Sequence, residues 1–202
     1  MTAPTAVPTA VPTAVPRAVL AQPGLRGIWG ERHLLAMALF IASESIFFLG
    51  IIAAYIVYRQ EGLALAKQHL DLARTGAFSV LLFASSATMT VAVRRRDRRW
   101  LAATAALGLA FLAGQATEYI RLLDLGIRPG VTLFGTTFFS LTGLHGLHVL
   151  IGLGLLAGLF AATSLRAARV GPVAWETIAL YWHFVDAVWV VVFSLVYLGT
   201  AL

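Results

Sequence analysis

A chain of 202 residues that is 59% hydrophobic and only 12% charged, with a mean hydropathy of +0.85, carries more apolar surface than one small soluble core can bury. Soluble domains run at ~45–50% apolar and ~25% charged, and a membrane is the natural solvent for the excess. The lack of cysteine excludes disulfides, thiolate metal sites and cysteine nucleophiles, while the net charge of +6 sits mainly on arginines between hydrophobic blocks, which points to membrane topology rather than to nucleic acid.

The chain opens on MTAPTAVPTAVPTAVPRAVL, in which TAVP recurs every four residues. Proline at that density forbids a helix and favours an extended polyproline II chain. The stretch also lacks the uninterrupted apolar core and cleavage site of a secretory signal. Residues 1–30 read as a low-complexity tail, with a docking strand for a partner subunit as the sharper alternative. Residues 31–202 read as one transmembrane domain.

Five apolar blocks follow, at about 33–58, 76–93, 100–123, 133–163 and 172–198. Each has about the length a spanning helix needs, ~20 residues. Strand-like alternation persists nowhere, so the expected fold is all-α, an integral membrane bundle of five transmembrane helices. Arg17, Arg26, Arg32, Arg94, Arg95, Arg96, Arg98, Arg99, Arg166 and Arg169 fall on one side. Arg59, Lys67, Arg74, Arg121 and Arg128 fall on the other. The excess of positive charge puts the N-terminus in the cytoplasm and the C-terminus outside. The run RRRDRR decides most of this; as an anionic-lipid or nucleic-acid patch it is the weaker reading, because stop-transfer and headgroup contact suffice.

Ionisable residues inside spanning helices are functional candidates by default. Glu44, in FIASESIFF, lies about ten residues from the cytoplasmic end of the first block, hence ~15 Å deep. A carboxylate there should be protonated, or paired with a donor or a lipid headgroup. Gln115, Glu118 and Arg121 share one face of the third helix near its outer end, where an interfacial ion pair is as good a reading as a functional one. The fourth block contains LTGLHGLHVLIGLGLL. There His145 and His148 share a face, and Gly143, Gly146, Gly152, Gly154 and Gly158 would let another backbone come close. The fifth contains YWHFVDAVW, with His183 and Asp186 on one face, Glu176 two turns earlier on the same stripe, and Trp182 and Trp189 on another.

Three chemistries suit these residues. A metal site needs ligands aimed at one point, each oriented by a second group. A haem needs axial histidines from facing helices, for which His145 and His183 qualify. A proton-conducting chain uses the same side chains. Against these stands plain hydrogen bonding between helices, the leading reading of the residues alone. The sequence has no HExxH, phosphate-binding loop, GxSxG elbow or dinucleotide fingerprint.

The stretches FIASESIFF, QATEYIRLLDLGI, GTTFFSLTGLHGLHVLIG and WETIALYWHFVDAVWVVVFSLVYL closely resemble subunit III of the haem–copper terminal oxidases, of cytochrome c and quinol types. The resemblance runs from about 34 to 198. It implies an all-helical subunit of the bacterial cytoplasmic membrane, packed against subunit I, with subunit II in the same complex and no nucleic-acid partner. It implies no catalytic residue, no metal and no cofactor in this chain, since haem, copper and oxygen reduction belong to the partner subunits. The implied role is to support assembly, sustain proton uptake by subunit I and hold phospholipid. Glu44 matches the family's buried, carbodiimide-reactive glutamate in a helix facing subunit I. Glu118, His145, His148, Glu176, His183 and Asp186 match its signature polar positions. Partners for His183 and Asp186 are expected on the fourth or third helix.

The pattern departs from the family in three places. The long form has seven helices and this chain resembles the last five, so the lipid-filled cleft of the long form is incomplete in one chain; in some short-form systems subunit I carries the missing pair as a C-terminal extension. RAARVGPVAWE replaces a histidine-rich segment, and the TAVP repeat has no counterpart. Two alternatives keep the same signatures: a subunit III-like partner of a nitric oxide reductase, and a membrane haem protein using His145 and His183.

Overall fold

The computed structural model describes residues 23–165 and 170–199, with side chains from Arg32 onward except 61–66, 68 and 69. The TAVP repeat, Arg17, Arg166 and Arg169 lie outside the described residues. The elements are α1 (Pro23–His69), α2 (Leu72–Arg95), α3 (Arg98–Asp124), α4 (Leu133–Ser164) and α5 (Pro172–Phe193), the last running on into a π-helical turn, Ser194–Leu198. Within them lie five stretches long and apolar enough to cross a membrane: Arg32–Gln60, Leu72–Arg95, Arg98–Asp124, Leu133–Ser164 and Pro172–Leu198. The described residues contain no strand. The five blocks read from the sequence are these five spans, and the protein is an all-α membrane bundle.

The helix ends follow local chemistry. The Asp71 side chain accepts from the Arg74 amide at 2.9 Å and opens α2. Arg96 closes α2 in the left-handed region at φ 49°. Asp97 then accepts from the Arg99 amide at 2.9 Å and opens α3, so a two-residue turn folds α2 and α3 into a hairpin. Thr132 caps α4 through the Gly135 amide at 2.9 Å, and Pro172 starts α5 where its missing N–H costs nothing. α1 is longer than its apolar block at both ends. Pro23 is tolerated in its first turn, inside the segment assigned from sequence to the tail. Good helix formers in EGLALAKQH carry the other end past the apolar stretch.

α2 packs on α3, α3 on α4, and α5 on α1, α2 and α4, while α1 leans on α4 and α5. Half of the most apolar window of α5 is buried, against 11% for α1, so α5 is the central helix and α1 the peripheral one. The outer face of α1 presents Leu39, Ile46, Leu49 and Val57, as expected of a surface solvated by lipid. The core is aromatic: Trp182, Trp189, Tyr181, Tyr55, Phe111 and Phe138 are all buried.

Two glycines make room for the Trp182 ring. A Cβ on Gly108 of α3 would lie 2.7 Å from the Trp182 ring, and one on Gly152 of α4 would lie 2.9 Å from it. The indole is therefore held between α3 and α4. The other glycines near His145 and His148 do not work this way. Gly154 and Gly158 have no atom within 4 Å of a built Cβ, and Gly143 and Gly146 meet only side chains at ordinary distances. The visitor among the α4 glycines is thus an indole at Gly152, not a backbone along the whole run.

Candidate functional site

Counting residues places the main polar side chains near mid-span. Glu44 is 12 residues beyond Arg32, His148 is 15 beyond Leu133 and Asp186 is 14 beyond Pro172, or ~18–23 Å from those helix ends at 1.5 Å per residue.

The first group joins α1 to α4. His148 Nδ1 lies 2.9 Å from the Leu144 carbonyl, and Nε2 lies 3.2 Å from Glu44 Oε2. A carbonyl only accepts, so Nδ1–H donates to it. The contact between Nε2 and Oε2 then holds a single proton, on the carboxyl or on the imidazole. The pair is neutral in either case, which suits a membrane interior where an uncompensated charge is costly. The His148 side chain is 8% exposed and that of Glu44 23%, so the carboxyl sits at the edge of the bundle. The Tyr181 hydroxyl donates to the His148 carbonyl at 3.0 Å and ties the same turn of α4 to α5. Glu44 thus has a hydrogen-bond partner within the chain, His148.

The second group joins α2 to α5. Ser86 Oγ donates to Asp186 Oδ2 and lies 2.8 Å from His183 Nδ1. The serine hydroxyl has one proton, so the His183 Nδ1–H donates to it. Two indoles add to this seam: Trp182 Nε1–H donates to Ser85 at 2.9 Å and Trp189 Nε1–H to Ser79 at 2.8 Å. Ser85 and Ser79 pass their own protons to backbone carbonyls of α2. From Trp182 to Trp189 along α5 the indole partner moves from Ser85 back to Ser79 on α2, as antiparallel neighbours require. The expectation that His183 and Asp186 bond to the fourth or third helix is corrected here: their partner is α2. The cause is the arrangement of helices, since α5 lays its polar stripe on the serines of α2 and gives its indole faces to α3 and α4. These serines were not singled out from sequence, although FSVLLFASS spaces Ser79 and Ser85 six apart, close to the seven between their partners Trp189 and Trp182.

His145 is different again. It is 1% exposed, and neither ring nitrogen has a hydrogen-bond partner. Its ring stacks on Trp189, with centroids 4.7 Å apart, and meets the edge of Phe111 at 5.9 Å. Towards the C-terminal end of α3, Arg121 pairs with Glu118 at 2.6 Å, the ion pair expected from spacing. Tyr119 bonds Thr142 at 2.7 Å, and Tyr119 and Tyr197 both reach Gln115. Glu176 is exposed and joins none of these groups. The carboxylates and imidazoles are therefore parted among helix seams, and among the described residues no three of them gather as a metal-ligand group.

Residues 72–201 match the family model of cytochrome c oxidase subunit III. The chain belongs to the cytochrome c oxidase subunit III family. Cytochrome c oxidase subunit 3 of Synechocystis sp. is 38% identical, over 83% of this chain and 76% of that protein. The Thermostichus vulcanus protein of the same name is 35% identical over 83% and 88%, and that of Corynebacterium diphtheriae 33% over 78% and 83%. As a subunit III, the chain is an accessory subunit of an oxidase, a multi-pass membrane protein in a complex with other oxidase subunits. All of the polar positions above except Glu44 and its helix fall within the matched stretch.

Proposed function

We propose that this chain is a non-catalytic accessory subunit of an aerobic respiratory haem–copper oxidase. In this reading oxygen is reduced and protons are pumped in subunit I, which touches the chain directly, with subunit II in the same complex. The chain stabilises subunit I, sustains its proton uptake and holds phospholipid. It lies in a bacterial cytoplasmic membrane with the arginine-rich helix ends inside. Glu44, Glu118, His145, His148, Glu176, His183 and Asp186 are structural or contact residues, and no haem or metal is bound by them.

What supports the reading is the Glu44–His148 pair at mid-span. It is a brace: it closes a neutral hydrogen bond between the least covered helix and the bundle, with the carboxyl at the rim where a neighbouring subunit or lipid would meet it. The test uses the assembled complex. Glu44→Ala should leave initial oxygen consumption near wild type, but lower retention of this chain in detergent and hasten inactivation during turnover. Glu44→Gln, whose amide can still donate to His148, should recover part of that loss. Abolition of oxygen reduction from the first turnover in either variant would refute the accessory role of this site.

A further inference from the structure

Two neighbouring cavities lie at the end of the bundle where α2 turns into α3. One, of 530 Å³, is lined by Arg95, Arg96, Asp97, Arg98, Thr163 and Ser164. The other, of 350 Å³, is an apolar groove between α3 and α4, lined on α3 by Leu101, Ala102, Ala105, Ala106 and Leu109, and on α4 by Leu156, Ala157 and Phe160. They share helix faces. Leu101 and Ala102 follow Arg98 by three and four residues, and Phe160 precedes Thr163 and Ser164 by three and four, the spacing of helical neighbours. The groove exists because alanine occupies four of its eight positions. Leu101 and Leu156 form its buried floor, and Leu109 and Phe160 its exposed rim.

The chemistry of the two halves is complementary to one kind of molecule. Arg95, Arg96 and Arg98 are exposed. Asp97, the one acid among the described lining residues, is turned to the α3 amide it caps. Thr163 and Ser164 direct their protons to the Phe160 carbonyl, so the guanidinium groups supply the donors. Arg95 lies with its guanidinium carbon 6.0 Å over the Trp100 ring, a pairing that holds a cation at the interface. Arg95 and Arg98 end their spans, at headgroup depth. From Arg98 to Leu109 the α3 face runs ~16 Å at 1.5 Å per residue, the depth of one leaflet in a hydrocarbon core ~30 Å thick.

We infer that this is a binding site for an anionic phospholipid of the surrounding bilayer, with its phosphate on Arg95, Arg96 and Arg98 and one acyl chain in the α3–α4 groove. It lies apart from the Glu44–His148 seam and does not depend on which oxidase the subunit serves. The orientation proposed above decides only which leaflet supplies the lipid.

The test is photolabelling of the full purified complex by an anionic phospholipid with a photoreactive acyl chain, at sub-saturating lipid, with the labelled peptides read by mass spectrometry. Label should fall on peptides holding Ala105–Leu109 or Ala157–Phe160, and exceed that from a zwitterionic lipid with the same chains. Arg96→Gln and Arg98→Gln should each lower it about fivefold. Ala106→Phe should abolish it by filling the groove with the arginines intact. Arg94→Gln, an equal loss of charge outside the pocket, should leave it unchanged and so controls for altered insertion. Equal labelling by the two lipids, indifference to Ala106→Phe, or no label in the groove because protein covers it would each overturn the proposal. So would displacement by inorganic phosphate, which would mark a site for a free anion.

Discussion

Trp182 is fully buried between two glycines on different helices, and this makes a sharp prediction. A methyl added at Gly108 would lie 2.7 Å from Cη2 and 3.0 Å from Cζ2 of the indole. One added at Gly152 would lie 2.9 Å from Cε3, 3.0 Å from Cζ3 and 3.2 Å from the Tyr181 ring. Carbon atoms rest at ~3.5–4.0 Å, so either methyl intrudes by roughly 0.6–0.8 Å. The ring cannot yield freely, because moving from α3 drives it into α4 and pulls Nε1–H from Ser85, now at 2.9 Å. Gly108→Ala and Gly152→Ala should therefore each destabilise the fold by ~1–3 kcal/mol, the range for overpacking a full core. The double variant should cost more than the sum, since each methyl blocks the escape from the other. Gly154→Ala, with open space around its Cβ, is the neutral comparison. The assay is thermal loss of this chain from the detergent-solubilised complex. If Gly108→Ala proved as stable as Gly154→Ala, or the double variant were merely additive, the picture of a pinned indole would be wrong.

Three further outcomes follow from the polar seams. Trp189→Phe keeps a ring against His145 but loses the bond to Ser79, and should cost ~0.6–1.7 kcal/mol, the scale of hydrogen bonds between membrane helices; no loss in a melting assay would show that bond to be idle. Ser86→Ala strips His183 and Asp186 of a common partner, so a double-mutant cycle with Asp186→Asn should show coupling of ~0.5 kcal/mol or more, and strict additivity would refute the three-residue link. His148→Phe leaves the Glu44 carboxyl without its imidazole, and should lower retention of the chain in detergent further than Glu44→Gln does; the reverse order would count against the shared-proton pair.

The spans were legible because lipid leaves little freedom: an apolar stretch of the right length has one way to satisfy its backbone. Ion-pair spacing on α3 was equally plain, since Glu118 and Arg121 are neighbours on one helix. Partners across helices were less so. Periodicity said that His183 and Asp186 share a face, but not that the face meets α2, because five helices can be packed in many orders with each stripe intact. Ser79, Ser85 and Ser86 escaped notice for a related reason. A serine in a membrane helix can bond its own backbone, and only its neighbour shows whether it does more. The glycines of α4 misled in part: small size permits a close approach at every one of them, whereas only Gly152 receives the indole.

The pairing of Glu44 with His148 also bears on how the protein is made. The two residues are 104 apart in sequence, so at ~5–20 residues per second of synthesis roughly 5–20 s pass before the second follows the first. For that interval α1 waits in the membrane with its carboxyl unanswered and its docking surfaces on α4 and α5 not yet made. Among the five described helices, the one made earliest waits longest for its main partners, α4 and α5, and biogenesis of this chain must hold it nearby until they arrive.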